Sequence, residues 1–115
     1  MTDNCIFCQI AAGQKPGNIV YQDEQVTAFR DLHPAAPVHL LIIPNRHIAS
    51  LSDSAEEDRA LLGHMLLVSR MLADQHGLHP AGYRVMINTG ADAGQTVFHL
   101  HLHLLGGQRL PGFVR

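Results

Sequence analysis

Three histidines near the end of the chain alternate with leucines, and this pattern is the one best suited to chemistry. They are His99, His101 and His103, and the chain's 9 histidines outnumber its 8 lysines and arginines. A neutral imidazole can act as a nucleophile, a proton carrier or a metal ligand near neutral pH. On a strand the three rings would share one face, with neighbours about 6.6 Å apart. Such a row lines a groove, so we expect it to act on a bound group rather than to share one metal ion.

The spacing of the row also predicts its protonation state. Charged imidazoles at this distance repel one another, so we expect lowered pKa values and neutral rings near neutral pH. The preceding loop, residues 90–96, reads Gly-Ala-Asp-Ala-Gly-Gln-Thr. Its glycines permit close backbone approach, and its amide and hydroxyl can donate hydrogen bonds to oxygen. A loop of this kind beside histidines predicts phosphate binding.

The only two cysteines, Cys5 and Cys8, form a Cys-x-x-Cys pair. A redox pair usually lies where a strand enters a helix of a thioredoxin-like βαβ unit, and the sequence pattern predicts no such unit. Two thiolates are also half of a tetrahedral zinc site, and the surplus of histidines can supply the other half. Two buried free thiols are the third alternative. We favour a structural zinc ion.

The strands that must position these groups are predicted by alternation and by turn residues. Residues 18–22 and 25–31 flank Asp23-Glu24 and predict a hairpin, and residues 38–43 predict a central strand that ends at Pro44. Residues 83–88 and 98–104 alternate and predict two more strands.

Helical periodicity predicts two helices. A short amphipathic helix covers residues 5–12 and ends near Gly13. In the long helix Ser54 and Glu57 have the spacing of a capping box, and Gly77 suits the left-handed turn after its last turn. Its apolar stripe consists of Leu61, Leu62, Met65, Leu66, Val68, Met71 and Leu72. The order of elements favours an α+β fold, an antiparallel five-stranded sheet with the helices on one face.

Length and composition exclude several classes of protein. The chain has 115 residues, a formal charge of −2, 46% hydrophobic residues and 16% charged residues. We expect one domain over residues 1–115, with neither nucleic acid nor membrane as a partner. The N-terminus shows no secretory pattern, so we expect a cytoplasmic location.

The alternating run at residues 99–105 resembles the signature of the histidine triad (HIT) family. The resemblance extends over nearly the whole chain: Cys5-Ile-Phe-Cys8, Phe29-Arg-Asp31-Leu32, residues 39–48, residues 83–94 and Gly106-Gly107. Within the family the chain is most similar to the Hint-like purine nucleoside phosphoramidases. This resemblance implies the HIT fold, a homodimer with an extended sheet, and a variable C-terminal tail at about residues 106–115 that carries Phe113.

The resemblance also implies a role for each catalytic residue. His101 would attack the α-phosphorus of a purine nucleoside phosphoramidate or another nucleotidyl conjugate and form a nucleotidyl-histidine. One of its ring nitrogens would be held by a backbone carbonyl. Thr96 and His103 would bind phosphate oxygens, and His39 and His103 together would complete the proton network.

The implied nucleotide site includes loop, strand and helix residues. The backbone of Gly94 and Gln95 would help to bind phosphate, and Asp31 would bind the ribose hydroxyls. The full implied set is Ile6, Phe7, Ile10, Phe29, Asp31, Leu32, Asn88, Gly94, Gln95, Thr96, His101 and His103. The implied zinc ligands are Cys5, Cys8, His47 and His99, and the metal would not be needed for the chemistry.

Two other functions remain open for the same residues. One is a nucleotide-sensing or interaction module with incidental turnover, and the other is a dinucleoside polyphosphate hydrolase. The remaining histidines, His33, His64, His76 and His79, are expected to be solvated, and we expect no partner for His64.

Overall fold

The computed structural model describes residues 4–112, so Phe113 of the predicted tail lies outside the described residues. These residues form the predicted order of elements. They are α1 (Ile6–Ala11), β1 (Ile19–Gln22), β2 (Val26–Arg30), β3 (Val38–Pro44), α2 (Arg59–Gln75), β4 (Tyr83–Met86) and β5 (Leu102–Gly106). The strands pair in the order β1-β2-β3-β5-β4, and every pair is antiparallel. The α+β class and the five-stranded antiparallel sheet are confirmed.

The helices pack on opposite faces of the sheet, so the prediction that both lie on one face is wrong. In β3, Leu40 and Ile42 face the core that includes α2, whereas Leu41 and Ile43 pack with Phe7 of α1. Side chains alternate between the faces of a strand, and both faces of β3 are covered. This double burial explains why the strand is a continuous apolar run in the sequence.

The strand that carries the histidines is shorter than predicted. The β3–β5 ladder ends at the pair Ile42 and Leu102, and the N–H of Leu100 donates instead to the carbonyl of Ile48 at 2.7 Å. His99 and His101 therefore precede the strand rather than lying on it. Phe98, predicted to be on the apolar face, is 50% exposed.

The long helix ends as predicted but begins differently. Gly77 has φ +72° in the left-handed turn. The Ser54–Glu57 capping box does not form, because the Ser54 hydroxyl donates to the carbonyl of Leu51. Instead, the carboxylate of Asp58 caps the turn before α2 by accepting a hydrogen bond from the N–H of Ala55 at 2.8 Å.

Two leucines of α2 lie outside the core, and one of them was predicted to lie in the apolar stripe. Leu66 is 52% exposed and Leu67 is 61% exposed. Among residues 4–112, neither helix has the length and hydropathy needed to cross a membrane.

Candidate functional site

A cavity of about 400 Å³ lies between α1, the end of β2 and the loop before β5. It brings together most of the nucleotide-site residues predicted from the sequence. Those that line it are Ile6, Phe7, Ile10, Phe29, Asp31, Leu32, Asn88, Gly94, Thr96, His101 and His103. His39 lies just behind this lining, bonded to His103.

Sequence reasoning missed part of the wall. Leu41 lines the cavity beside its cross-strand partner Phe29, and the alternation of β3 could have indicated it. Gly17 approaches so closely that a Cβ there would lie 3.0 Å from a methyl group of Ile10. The other missed residues are Pro16, Asn18, Arg30, His33 and Val97, and only Arg30 lies within a motif, Phe29-Arg-Asp31-Leu32.

His101 is held with one nitrogen bonded and the other open to the cavity. Its Nδ1–H donates to the carbonyl oxygen of His99 at 2.7 Å. The Phe7 ring meets the imidazole edge-on, with centroids 5.2 Å apart and an interplanar angle of 90°. Nε2 of His101 has no hydrogen-bond partner within residues 4–112. Every buried side-chain nitrogen and oxygen of these residues has a partner, so Nε2 is not buried and is accessible. Its lone pair is free to attack a bound ligand.

His39 and His103 form a directly bonded pair. Nε2 of His39 lies 2.9 Å from Nδ1 of His103, and the backbone N–H of Ala35 donates to Nδ1 of His39 at 3.0 Å. The nearest oxygen of the Asp31 carboxylate is 3.5 Å from Nε2 of His39. The pair therefore connects the Pro34–Pro37 loop to the cavity.

Burial, more than mutual repulsion, keeps two of the cavity histidines neutral. Desolvation first, and then the charges of His101 and His39, lower the pKa of His103 to about 4, against the opposing charge of Asp31. Burial likewise lowers the pKa of His39, although the Asp31 charge opposes the shift. The direction predicted for the histidine row is confirmed for His103 and for His99, whose pKa is also lowered to about 4, but in both rings burial is a larger cause than repulsion by neighbouring imidazoles.

The loop before β5 places a hydroxyl in the cavity wall and uses two of its backbone N–H groups internally. Thr96 is exposed and lines the cavity. The N–H groups of Gly94 and Gln95, expected to bind phosphate, donate within the loop to Ala91 and Gly90. The Gln95 side chain is buried and braces the loop, since its carbonyl oxygen accepts the N–H of Gly90 at 2.8 Å. Gln95 therefore does not line the cavity.

Asp31 is oriented at the end of β2. One of its carboxylate oxygens accepts the N–H of His33 at 2.8 Å. The carboxylate lies in the cavity wall beside Leu32, which is 79% exposed. An oriented carboxylate of this kind can accept hydrogen bonds from the hydroxyl groups of a ligand.

A second cluster contains Cys5, Cys8, His47 and His99, whose potential ligand atoms all lie within 4.8 Å of one another. Nδ1 of His99 is 3.2 Å from Sγ of Cys5, and Nδ1 of His47 is 3.3 Å from Sγ of Cys8. The donor set of two sulfurs and two imidazoles is typical of structural zinc.

The second nitrogen of His99 tests whether the cluster suits a metal. Its Nε2–H donates to the carbonyl of Pro44 at 2.8 Å, which leaves a lone pair on Nδ1, directed at the two sulfurs. Metal-binding histidines typically have their other nitrogen bonded in this way. Burial raises the pKa of the Cys8 thiol to about 11, so a metal must displace its proton. The residues fit a metal ion.

Two of the histidines expected to be solvated have partners. His64 on α2 lies 2.7 Å from the carboxylate of Asp23 in the β1–β2 turn, which corrects the expectation that it has none. Burial would raise the pKa of Asp23, but hydrogen bonds, first from Tyr21 and then from His64, hold it well below its usual value. Nδ1–H of His76 donates to the carbonyl of Leu72 at the end of the helix.

Comparisons with known proteins agree with the fold and with the family resemblance of the sequence. Residues 4–112 match the family described as "Scavenger mRNA decapping enzyme C-term binding". An uncharacterized HIT-like protein of Synechococcus elongatus is 51% identical over 110 residues, covering 96% of both chains. A purine nucleoside phosphoramidase of Escherichia coli K12 is 46% identical over 110 residues, covering 96% of this chain and 92% of that protein.

Solved structures are similarly close. A HIT family hydrolase from Legionella pneumophila superposes with a TM-score of 0.93 at 46% identity, covering 94% of this chain and 96% of that one. A Zn-bound histidine triad family protein from Mycobacterium smegmatis superposes with a TM-score of 0.82 at 34% identity, covering 94% and 78%.

Proposed function

The chain belongs to the histidine triad family, and we propose that it is a hydrolase that cleaves purine nucleoside phosphoramidates and related nucleotidyl conjugates at the α-phosphate. The observation that supports this most directly is the His101 ring, whose Nδ1–H is bonded to a carbonyl while Nε2 faces the cavity. The name of the Escherichia coli relative supports the same substrate class.

In the first step Nε2 of His101 forms a bond to the α-phosphorus as the phosphorus–nitrogen bond of the substrate breaks. A water in the cavity protonates the departing amine and becomes hydroxide. The imidazole now carries phosphorus on Nε2 and hydrogen on Nδ1, so it is cationic. The carbonyl of His99, 2.7 Å from Nδ1, stabilises that charge.

In the second step the hydroxide bonds to phosphorus and the bond to Nε2 breaks. The cationic ring is a good leaving group because it returns to neutral imidazole. The products are a nucleoside monophosphate and the amine, and one water is consumed overall. Splitting one displacement into two is the advantage of the covalent route.

The rest of the cavity would hold the nucleotide. Its apolar wall of Ile6, Phe7, Ile10 and Phe29 suits a flat purine, and Asp31 would accept the ribose hydroxyls. The Thr96 hydroxyl and the His103 ring lie with His101 in the wall where the phosphate would bind.

Hydrolysis of adenosine 5′-phosphoramidate by the wild type and by His101→Ala tests the proposal. We expect turnover by the wild type and a loss of about 10³-fold or more in the variant, as for removal of other nucleophiles. Acid quenching during turnover should trap a nucleotidyl adduct on the wild type alone. His79→Gln, a change at an exposed histidine outside the cavity, serves as control. AMP binding without any wild-type turnover would instead indicate a nucleotide-binding module.

We assign a structural zinc ion to Cys5, Cys8, His47 and His99. Bound there, zinc would cross-link α1 to the segment before β5 and would supply no chemistry to the substrate. The Zn-bound relative from Mycobacterium smegmatis and the donor set of this chain support the assignment.

We also propose a homodimer. Within the described residues β4 pairs only with β5, so its other edge is open, and Leu66 and Leu67 of α2 are exposed. A second copy could extend the sheet and cover the leucines. Sedimentation should show a dimer that Leu67→Glu converts to monomer, whereas Glu at the exposed Leu51 should leave it intact. A monomeric wild type would contradict the proposal.

A further inference from the structure

We propose that the backbone N–H of Ala35 fixes the protons of the His39–His103 pair, so that His103 offers Nε2–H to the substrate as a hydrogen-bond donor and never transfers that proton. The role of His103 toward the substrate rests on the proposed function, whereas the positions of the protons do not.

The backbone amide of Ala35 can only donate a hydrogen bond from its N–H. Its N–H points at Nδ1 of His39, so that nitrogen must carry a lone pair. A neutral His39 then has its hydrogen on Nε2, which lies 2.9 Å from Nδ1 of His103. Nδ1 of His103 must accept, and the hydrogen of the neutral His103 ring is therefore on Nε2. Each hydrogen bond determines the direction of the next, so one backbone amide sets the donor and acceptor of both bonds.

Nε2 of His103 is the atom that meets the ligand. This nitrogen has no hydrogen-bond partner within residues 4–112. Every buried side-chain nitrogen and oxygen of these residues has a partner, so Nε2 of His103 is accessible. His103 lines the cavity beside His101, with ring centroids 5.1 Å apart. A donor at this place can bond to a phosphate oxygen while His101 attacks the phosphorus.

The same arrangement excludes proton transfer from His103. If Nε2 gave up its hydrogen, both nitrogens of the ring would be bare and the ring would be anionic. His39 cannot supply the missing hydrogen, since it would become anionic in turn. Burial keeps both rings neutral rather than cationic, so there is no spare proton to release. The contribution of His103 is electrostatic.

The tautomer also argues against a metal ion at Asp31, His39 and His103, although their ligand atoms lie within 4.8 Å of one another. A metal-bound histidine typically donates from its other nitrogen, as His99 does to Pro44. His39 accepts at that nitrogen, so its Nε2 carries hydrogen and cannot bind a metal.

Imidazole ¹⁵N spectra of the labelled wild-type protein test the proton positions directly. We expect His39 and His103 as Nε2–H tautomers and His101 as Nδ1–H. We also expect ¹⁵N–¹⁵N couplings across two hydrogen bonds, from the Ala35 amide to Nδ1 of His39 and from Nε2 of His39 to Nδ1 of His103. An Nδ1–H tautomer at His103, or no coupling to Ala35, would overturn the proposal.

Two nearly isosteric variants test the consequence for catalysis. His39→Gln keeps a donor facing His103, so we expect the Nε2–H tautomer of His103 to persist in this variant. His39→Glu offers only an acceptor, which draws the hydrogen of His103 to Nδ1. We expect kcat to fall about 100-fold relative to His39→Gln, the loss typical of one missing oxyanion donor, with a smaller change in KM.

Both variants are assayed at a pH where the spectra show a neutral His103 ring. Equal kcat values for the two variants would overturn the role assigned to His103. If the wild type has no turnover, the proposed function fails while the tautomers and couplings stand. If turnover is intact but the couplings are absent, only the present inference fails.

Discussion

Backbone hydrogen bonds decide which nitrogen each imidazole of the cavity exposes. The carbonyl of His99 holds the hydrogen of His101 on Nδ1, and the amide of Ala35 keeps it off Nδ1 of His39. A carbonyl can only accept and an amide N–H can only donate, so the partner determines the tautomer. Side-chain identity alone would leave both tautomers possible for each ring.

Thr96→Val tests the hydroxyl beside the histidines at the scale of one atom. The substitution keeps the shape of the side chain and removes a donor to the phosphate oxygens. We expect kcat to fall about tenfold or more, with little change in KM, because the bond strengthens as charge develops. Thr96→Ser, which keeps the hydroxyl, should retain most of the activity. Equal kcat values for Val and wild type would remove Thr96 from the catalytic set.

At the scale of elements, α1 is a six-residue helix that lies between two sites. Its side chains include Cys8 of the metal cluster and Phe7, which contacts the rings of both His99 and His101. An isolated helix of this length is unstable in water, so its position depends on tertiary contacts. A metal ion at its N-terminal end would supply one of them.

Cys5→Ala tests the metal as an anchor for this helix. We expect about one zinc ion per wild-type chain and almost none in the variant. The melting temperature should fall by more than about 10 °C, whereas kcat at saturating substrate should change far less. Chelator-treated wild type should melt like the variant. Metal-free protein that melts like the zinc-loaded protein would contradict the assignment.

The helices and strands could be predicted where the spacing of apolar residues matches one kind of element. The alternation of β2 and the stripe of α2 come from local patterns, and both elements form, although α2 begins at Arg59 and Leu66 of its stripe is exposed. The strand predicted over residues 98–104 shortens because Leu100 bonds to Ile48, a contact that is 52 positions away and leaves no local pattern. The face occupied by each helix is also tertiary information, since β3 is apolar on both sides.

At the scale of the whole molecule, the buried neutral histidines predict how stability depends on pH. The pKa of His103 is lowered from 6.5 to about 4, so between these values the unfolded chain binds more protons than the folded one. The free energy of unfolding must therefore decrease as the pH falls from 6.5 to about 4. The stabilising contribution of the neutral His103 ring is complete only above pH 6.5. Melting temperatures measured over this range should show the decline.

His103→Gln should make that decline shallower, because a glutamine does not titrate. His79→Gln, at an exposed position, should leave the slope unchanged. A slope that is the same in His103→Gln and wild type would show that other groups cause the decline.

The candidate site could be predicted as a set of residues but not as a bonding pattern. Eleven of the eighteen residues that line the cavity and all four metal-cluster residues were identified from the sequence, because motifs fix residue types at fixed spacing. The partners of Gln95 and His64 were missed, because both bond to distant segments, at Ala49 and Asp23. The Ala35 amide was missed because a backbone group carries no sequence signal.

His99 serves the two sites through different parts of the same residue. Its ring faces the two cysteines, and its backbone carbonyl accepts the hydrogen of His101. A mutation can remove the ring, but every amino acid at this position would still provide the carbonyl. A descendant of this chain could therefore lose its metal ligands one at a time and keep its nucleophile pinned, provided that the surrounding packing held the backbone in place. Selection can act on the anchor and on the chemistry separately, although the two share a residue.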